Sequence, residues 1–353
     1  MTARDPDWQK AQLQTMAERA LDHWNIAANR VELQRHGGNA TFRVDTLEDA
    51  PADTLLLRLH GDGYQSPAQV RSELQLLDHL AASGCAVPRP MRGLAVDQPA
   101  LIASPAGHVP SPDQFPDRLA TLLSWTHGEV ASGVLDLSSA EVVPVYRQIG
   151  RLMAELHAAT ATFALPADFD RRAWTRQTLL ETTAFADDIE DLWAIIPAQD
   201  RKRLRDHVAW AGPILDDICA AEPMRLLHAD LHLSNIVLQP DGEIAAIDFD
   251  DCGFGPRLFD FAASVWAPDE VTDDAMRRFD ESVRAVAEGY AEVAEPPAPL
   301  PDTSGEHWRA MVATRKVMVT LFLASRALRR QDYVPVVHTF AGSAAELIDR
   351  LRR

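Results

Sequence analysis

Residues 226–260, LLHADLHLSNIVLQPDGEIAAIDFDDCGFGPRLFD, constrain this chain more than any other stretch, because two sets of oxygen ligands and a candidate base fall within one short span. His228, Asp230 and Asn235 have the spacing H-x-D-x-x-x-x-N. An apolar run at Ile236, Val237 and Leu238 follows, then a turn signal at Pro240, Asp241 and Gly242. A second apolar run from Ile244 to Ile247 leads into Asp248-Phe249-Asp250-Asp251. The pattern predicts a β-hairpin whose outer ends carry the polar groups. Asn235 and Asp248 lie about equally far from the turn, so folding brings them side by side. One Asp to accept a hydroxyl proton, with an Asn and an Asp as oxygen ligands for Mg2+, is what in-line phosphoryl transfer needs. The metal neutralises phosphate charge and the Asp orients the attacking hydroxyl. Read locally, Asp230, Asp248 and Asp250 also suit turn and cap positions of an ordinary hairpin. The combined spacing favours chemistry.

At 353 residues the chain is long for one core, so two lobes are expected. Lys and Arg total 34 against 52 Asp and Glu, a net charge of −18, which argues against a nucleic-acid partner unless charge is strongly segregated. An acidic field favours cationic substrates, but it serves solubility equally well. Cys85, Cys219 and Cys252 are too few and too scattered for a disulfide framework or a zinc site, which fits a reducing cytoplasm. The opening MTARDPDWQKAQLQ has no apolar signal region, and no segment approaches about 18 uninterrupted apolar residues. The expectation is a cytoplasmic protein without a membrane partner.

Residues 5–25 read as an amphipathic helix capped by Asp5, with Pro6 first and Leu13, Ala17, Ala20, Leu21 and Trp24 on one face. ATFRVDTL alternates as a strand, and TLLLRLH forms a second after the turn EDAPAD. Ahead of them, Arg35-His36-Gly37-Gly38-Asn39 carries glycines that let backbone N–H groups approach a phosphate, or make an ordinary turn. Ser66 and Pro67 start a helix with Val70, Leu74, Leu77 and Ala81 inward and Glu73 at the edge of that face. PALIAS and RLATLLSW read as further strands, and the Trp125 ring as core packing. After Trp125 the chain becomes helical, with Ser138 or Ser139 capping the helix that holds Val145, Ile149, Leu152, Leu156 and Ala159. Glu181, Asp187, Asp188, Glu190 and Asp191 read as a solvated helix face, with an ammonium-attracting surface as the alternative. Gly253-Phe254-Gly255-Pro256 reads as a turn, and the stretches around EHWRAMVATRKVMVTLFLASRALRR and 335–352 as helices.

His228, Asp230, Asn235 and Asp248 resemble the catalytic loop and metal-binding Asp of the protein-kinase-like fold. In detail they resemble the aminoglycoside phosphotransferase and choline kinase superfamily, which carries H-G-D-L-H-x-x-N followed by I-D-F-D-D. Ala229 replaces the usual Gly, a small change. Asp250 stands where protein kinases carry the Gly of D-F-G, so their D-F-G switching is not carried over. The resemblance implies that Gly37, Gly38 and Asn39 belong to a shortened nucleotide loop. It implies that Arg58 touches the α and β phosphates and pairs with Glu73, the alternative being two solvated surface charges. LLSWTHGE resembles the segment whose backbone groups hold adenine, placing the base near Ser124, Trp125 and Thr126. Asp230 and His228 are the implied catalytic-loop residues, Asp230 accepting the proton and His228 ordering the loop. Asn235 and Asp248 are the implied Mg2+ ligands, with Asp250 assisting metal or acceptor. His157 is read as a packed structural histidine, and Asp260 as the acceptor for catalytic-loop backbone.

The expected architecture is therefore an α+β, bilobal protein-kinase-like fold. A small antiparallel sheet lobe with a helix covers 1–125 and a larger helical lobe covers 126–353, with ATP in the cleft between them. The expected activity is ATP- and Mg2+-dependent transfer of phosphate to a hydroxyl of an amino-sugar, amino-alcohol or related small molecule. A Ser/Thr protein kinase of the bacterial stress-response type differs only in its acceptor. A non-catalytic nucleotide-binding module is disfavoured by the retained Asp230, Asn235 and Asp248. A metal-dependent phosphohydrolase would not need the glycine loop and the basic strand residue.

Overall fold

A computed structural model of the chain describes residues 6–47, 53–61, 63–91, 99–104, 116–136, 139, 141–181, 188–298, 300 and 302–352. The chain divides into two compact units, Met1–His127 with Phe163–Asp170, and Gly128–Thr162 with Arg171–Arg353.

The first unit opens with α1 (Pro6–His23), whose proline occupies a position where its missing N–H costs nothing. The cap expected at Asp5 lies outside the described residues. Strands β1 (Ala28–His36), β2 (Ala40–Thr46) and β3 (Thr54–Leu59) follow, then α2 (Pro67–Ala82), β4 (Ala100–Ile102) and β5 (Arg118–Ser124). They form an antiparallel sheet in the order β1-β2-β3-β5-β4. Strand β2 turns Ala40, Phe42 and Val44 to one side, where they meet Leu55 and Leu57 of β3 and Leu13, Met16 and Ala17 of α1. Helix α2 begins with a full capping box: Ser66 Oγ accepts from Gln69 N–H at 3.1 Å, and Gln69 Oε1 from Ser66 N–H at 3.0 Å. Strand β1 is a correction to the sequence reading, which began the sheet at β2. Its residues are mostly exposed or half-buried, as on an edge strand, so no buried alternation marks it.

The second unit contains β6 (Glu129–Val130), α3 (Ala131–Val134), α4 (Val142–Thr160), α5 (Ile189–Ile195) and α6 (Ala198–Ala221). There follow β7 (Arg225–Leu227), β8 (Ile236–Leu238), β9 (Ile244–Ala246) and β10 (Gly253–Gly255), then α7 (Arg257–Ser264), α8 (Asp273–Ala291), α9 (Glu306–Arg329) and α10 (Val334–Leu351). Helices α4 and α8 cross with their backbones in contact. A Cβ on Gly150 would lie 1.9 Å from Val286 O, and one on Gly289 would lie 1.8 Å from Arg147 O. Two expectations are corrected. Gly253–Gly255 is not a turn but a strand paired antiparallel with β7, a pairing that three residues with two glycines do not announce. Ser139 does not cap α4: its Oγ accepts from Glu141 N–H at 3.2 Å, and α4 starts beyond it without a side-chain cap. Ser138 lies outside the described residues. Among the described residues, no helix is long and apolar enough to cross a membrane.

Candidate active site

The hairpin expected from the sequence is β8 and β9, antiparallel with Ile236 opposite Ala246 and Leu238 opposite Ile244. Gly242, at φ 88°, supplies the left-handed residue of its turn. Ile247 N–H donates to Asn235 O at 2.9 Å, which joins the two polar ends and sets Asn235 beside Asp248 in the chain fold.

Asn235 is buried and its amide is oriented by Asp230: Nδ2 donates at 2.9 Å to both the backbone O and Oδ2 of that residue. Its Oδ1 has no donor among the described residues, so the amide presents an unpartnered oxygen. Asp248 adopts φ 66° and ψ 67°, a left-handed conformation that costs an L-residue roughly 1–2 kcal/mol. The turn after it, Phe249–Asp251, is held from outside. Arg171 donates to the carbonyls of Phe249, Asp250 and Cys252 at 3.3, 2.5 and 2.7 Å, and Trp174 Nε1 to Asp251 O at 3.0 Å. An amide oxygen and a carboxylate are hard donors that fit Mg2+, which takes few protein ligands and completes its shell with phosphate and water. Among the described residues, no group of three or more His, Cys, Asp and Glu side chains is arranged to hold a metal. The three carboxylates Asp230, Asp248 and Asp250 thus do not form a ligand cluster of their own.

Asp230 is held on every side. Its Oδ2 takes the Asn235 amide and faces His232 Nε2 at 3.3 Å, while its Oδ1 accepts from Arg315 Nη2. Burial pushes the carboxyl upward, but the charges of His232 and Arg315 outweigh it and hold Asp230 below the ordinary carboxylate range. His228 is engaged within the loop itself. Its Nδ1 accepts from Asp230 N–H at 3.3 Å, its Nε2 faces Ile247 O at 3.1 Å, and its ring packs on Phe249. Burial depresses its pKa against the pull of Asp260 and Asp230, which favours the neutral ring.

Asp260, on α7, is buried beneath the same loop. Its Oδ1 accepts from Ala229 N–H at 2.6 Å, and its Oδ2 accepts from His228 N–H at 3.2 Å and faces His157 Nε2 at 2.9 Å. His157 Nδ1 in turn meets Tyr290 OH at 3.0 Å, so this histidine is a packed structural residue as the sequence suggested. The Ala229 exchange is small in volume but not in conformation, because Ala229 sits at φ 66°. Ala229→Gly is therefore expected to stabilise the protein by about 1 kcal/mol, the left-handed penalty less the extra entropy of glycine in the unfolded chain. Guanidinium denaturation checks it: an unchanged or lower midpoint would mean that no strain is stored there.

In the first unit, Arg58 of β3 and Glu73 of α2 form an ion pair at 2.7 Å with side chains only 4% and 3% exposed. They are not solvated surface charges, and Glu73 is not at the edge of its helix face. Glu73 Oε2 is buried with no donor among the described residues. Gly37 and Gly38 lie in the turn between β1 and β2, closed by Gly37 N–H to Asn39 O at 2.9 Å. Asn39 Oδ1 accepts from Gly61 N–H at 2.8 Å, where a Cβ on Gly61 would lie 2.6 Å from Gly38 O. Asn39 therefore ties the glycine turn to the end of β3. Around Ser124 the expectation narrows. Ser124 N–H donates to Arg89 O at 2.8 Å and Trp125 N–H to Thr54 O at 3.4 Å, leaving Thr126 as the residue whose N–H has no partner among the described residues. The Trp125 ring is not core packing: it is half-buried, with the Arg43 guanidinium 5.4 Å from its centroid.

Residues 32–299 match the model of APH, the phosphotransferase enzyme family. The chain belongs to that family. It is similar to an uncharacterized protein of Deinococcus radiodurans, 26% identical over 310 residues that make up 86% of this chain and 80% of that one. Among solved structures it is similar to a microcompartment-associated aminopropanol kinase, at 25% identity and TM-score 0.72, covering 95% of this chain and 96% of that one. The amicoumacin kinase in complex with AMP-PNP and Ca2+ shares the fold at 16% identity and TM-score 0.66, covering 97% of this chain and 96% of that one. The bilobal kinase-like α+β architecture and the phosphotransferase class thus stand together. What sequence reading missed is Arg315, which reaches Asp230 from α9 across 85 positions, and His232, to which it gave no role. No local pattern signals a guanidinium delivered from so far along the chain.

Proposed function

We propose that the chain is an ATP- and Mg2+-dependent phosphotransferase that moves the γ-phosphate to a hydroxyl of a small molecule, an amino-sugar, amino-alcohol or related compound. The observation that carries this reading is the single carboxylate of Asp230, fixed by the Asn235 amide whose remaining oxygen stays unpartnered. One side chain is thereby set to accept a proton and its neighbour to bind a hard cation. Asp230 accepts the proton of the acceptor hydroxyl as the bond to phosphorus forms, and the γ-phosphate leaves ADP. Asn235 and Asp248 hold Mg2+, which when bound neutralises charge on the phosphates. Arg58, fixed by Glu73, steadies the phosphates from a nucleotide-binding region within 1–125; Gly37, Gly38 and Asn39 offer backbone amides, and Thr126 offers its N–H to the base. The similarity to an aminopropanol kinase supports a small alcohol as acceptor.

The test is ADP formation from Mg-ATP across amino alcohols, aminoglycosides, sugars, hydroxy acids and purified protein acceptors. One small-molecule class should raise turnover well above the acceptor-free rate. Turnover raised by proteins alone would replace this reading with a protein kinase, and failure to bind ATP would end it.

A further inference from the structure

The charges around the candidate base do not suit a purely cationic acceptor. Most of the acidic stretch that offered an ammonium site is engaged by its own neighbours: Glu181 pairs with Arg176, which also holds Asp216, Glu190 pairs with Arg205, and Asp188 caps α5, while Asp191 is exposed. Asp187 lies outside the described residues. Beside Asp230, by contrast, stand the guanidinium of Arg315 and the imidazole of His232. Arg315 is only 11% exposed and lies with its guanidinium carbon 5.8 Å from the Phe259 ring centroid. A guanidinium carries five N–H donors in a planar fork matched to a carboxylate. Here Nη2 bonds Asp230 Oδ1 and Nη1 makes a 3.8 Å contact with Met318 Sδ, and the other donors have no partner among the described residues. Asp230 cannot fill the fork, because its second oxygen already serves Asn235 and His232.

We propose that Arg315 is a specificity-determining residue that receives a carboxylate of the acceptor, so that the substrate is a short hydroxy acid or hydroxy amino acid. The inference rests on the phosphotransferase reading above and keeps its small hydroxyl acceptor, but replaces the plain amino alcohol with one that carries a carboxylate. Arg315 touches the base itself, and each hydrogen bond spans about 2.8 Å, so the acceptor hydroxyl and its carboxylate are separated by no more than about four carbon atoms. When the acceptor binds, the Arg315 fork takes the carboxylate, and Asp230 Oδ1 is released to take the hydroxyl proton. His232 Nε2 stays beside Oδ2, at 3.3 Å. Close by, Lys316 is committed to Asp269 and the Ala267 carbonyl, at 2.6 and 3.0 Å, and is no rival for the anion. The half-exposed Trp266, edge-on to His232 at 6.3 Å, offers an apolar wall for the carbon chain.

Matched acceptors that differ by the carboxylate alone test this: serine against ethanolamine, homoserine against 3-aminopropanol, threonine against 1-aminopropan-2-ol, and glycerate against ethylene glycol. Binding is measured by calorimetry in the presence of Mg-ADP, and turnover with Mg-ATP, for wild type, Arg315→Met and Arg315→Lys. The acid of at least one pair should be the better substrate. Arg315→Met should raise its KM and dissociation constant by about 100-fold, with Arg315→Lys between, and should not alter the discrimination against the carboxyl-free partner in the opposite sense. Preference for carboxyl-free alcohols overturns the inference while leaving the phosphotransferase intact. An equal loss of kcat on both members of a pair, with KM unchanged, also overturns it and assigns Arg315 to the transferred phosphoryl group. If no hydroxy acid binds wild type, the inference falls. Acid binding that depends on Arg315 without ADP formation would keep the anion site and remove the phosphotransferase reading instead.

Discussion

Asp230→Asn is expected to lower single-turnover phosphoryl transfer by about 1000-fold, while Mg-ADP affinity stays within about twofold of wild type. A positioned general base is worth roughly 10²- to 10⁴-fold, and the amide removes that function without changing the volume of the side chain. The substitution keeps an oxygen for the Asn235 amide, which now donates to Asp230 Oδ2 at 2.9 Å. It removes the charge that Arg315 faces, so a modest loss of stability should accompany the loss of rate. The nucleotide contacts proposed for Arg58, Gly37, Gly38 and Asn39 are untouched, and unchanged Mg-ADP binding by calorimetry separates a chemical defect from a folding one. A residual rate within tenfold of wild type would sink the assignment of Asp230 as base and leave His232 as the group to examine.

How much of this was legible in the sequence follows from how local each feature is. The β8–β9 hairpin and the meeting of Asn235 with Asp248 need only two apolar runs equally spaced from a Gly turn, so spacing alone carried them. The Arg58–Glu73 pair needed two elements of different period, a strand and a capped helix, and was expected in place, though not its nearly complete burial. Strands β1 and β10 were missed because an edge strand with little buried alternation and a three-residue strand with two glycines carry no period. The left-handed conformation of Ala229 is invisible where the residue is not glycine, since nothing in the letter reports its φ. Arg171, which ties down the turn after Asp248, and Arg315, which meets Asp230, act across 78 to 85 positions. Their partners are set by packing of the second unit, not by neighbours in the chain. The reading of RLATLLSW as a strand holds for Arg118–Ser124, but the letters do not show that the amides of Ser124 and Trp125 are spent on Arg89 and Thr54.

Asp260→Asn tests whether the catalytic loop is held in a strained shape from below. The carboxylate now receives two backbone N–H groups and faces His157, all buried. An amide in its place keeps one oxygen and turns an NH2 toward groups that are themselves donors, so at least one buried donor loses its partner. A buried group left unsatisfied costs about 1–3 kcal/mol, so the expected destabilisation is about 2 kcal/mol, read as a lower denaturation midpoint. The more telling result is kinetic. If Asp260 holds Ala229 at φ 66°, the loop in Asp260→Asn relaxes away from that conformation and kcat falls by tenfold or more. Adding Ala229→Gly then makes the same backbone shape cheaper by about 1 kcal/mol, which is roughly a fivefold recovery of kcat in the double variant. Coupling of this kind between residues in contact is what a double-mutant cycle isolates. Recovery of rate without recovery of the midpoint would identify Asp260 as a positioning residue acting through the loop. No recovery at all would limit it to folding, with the loop shape set by His228 packing on Phe249 and bonding to Ile247 instead.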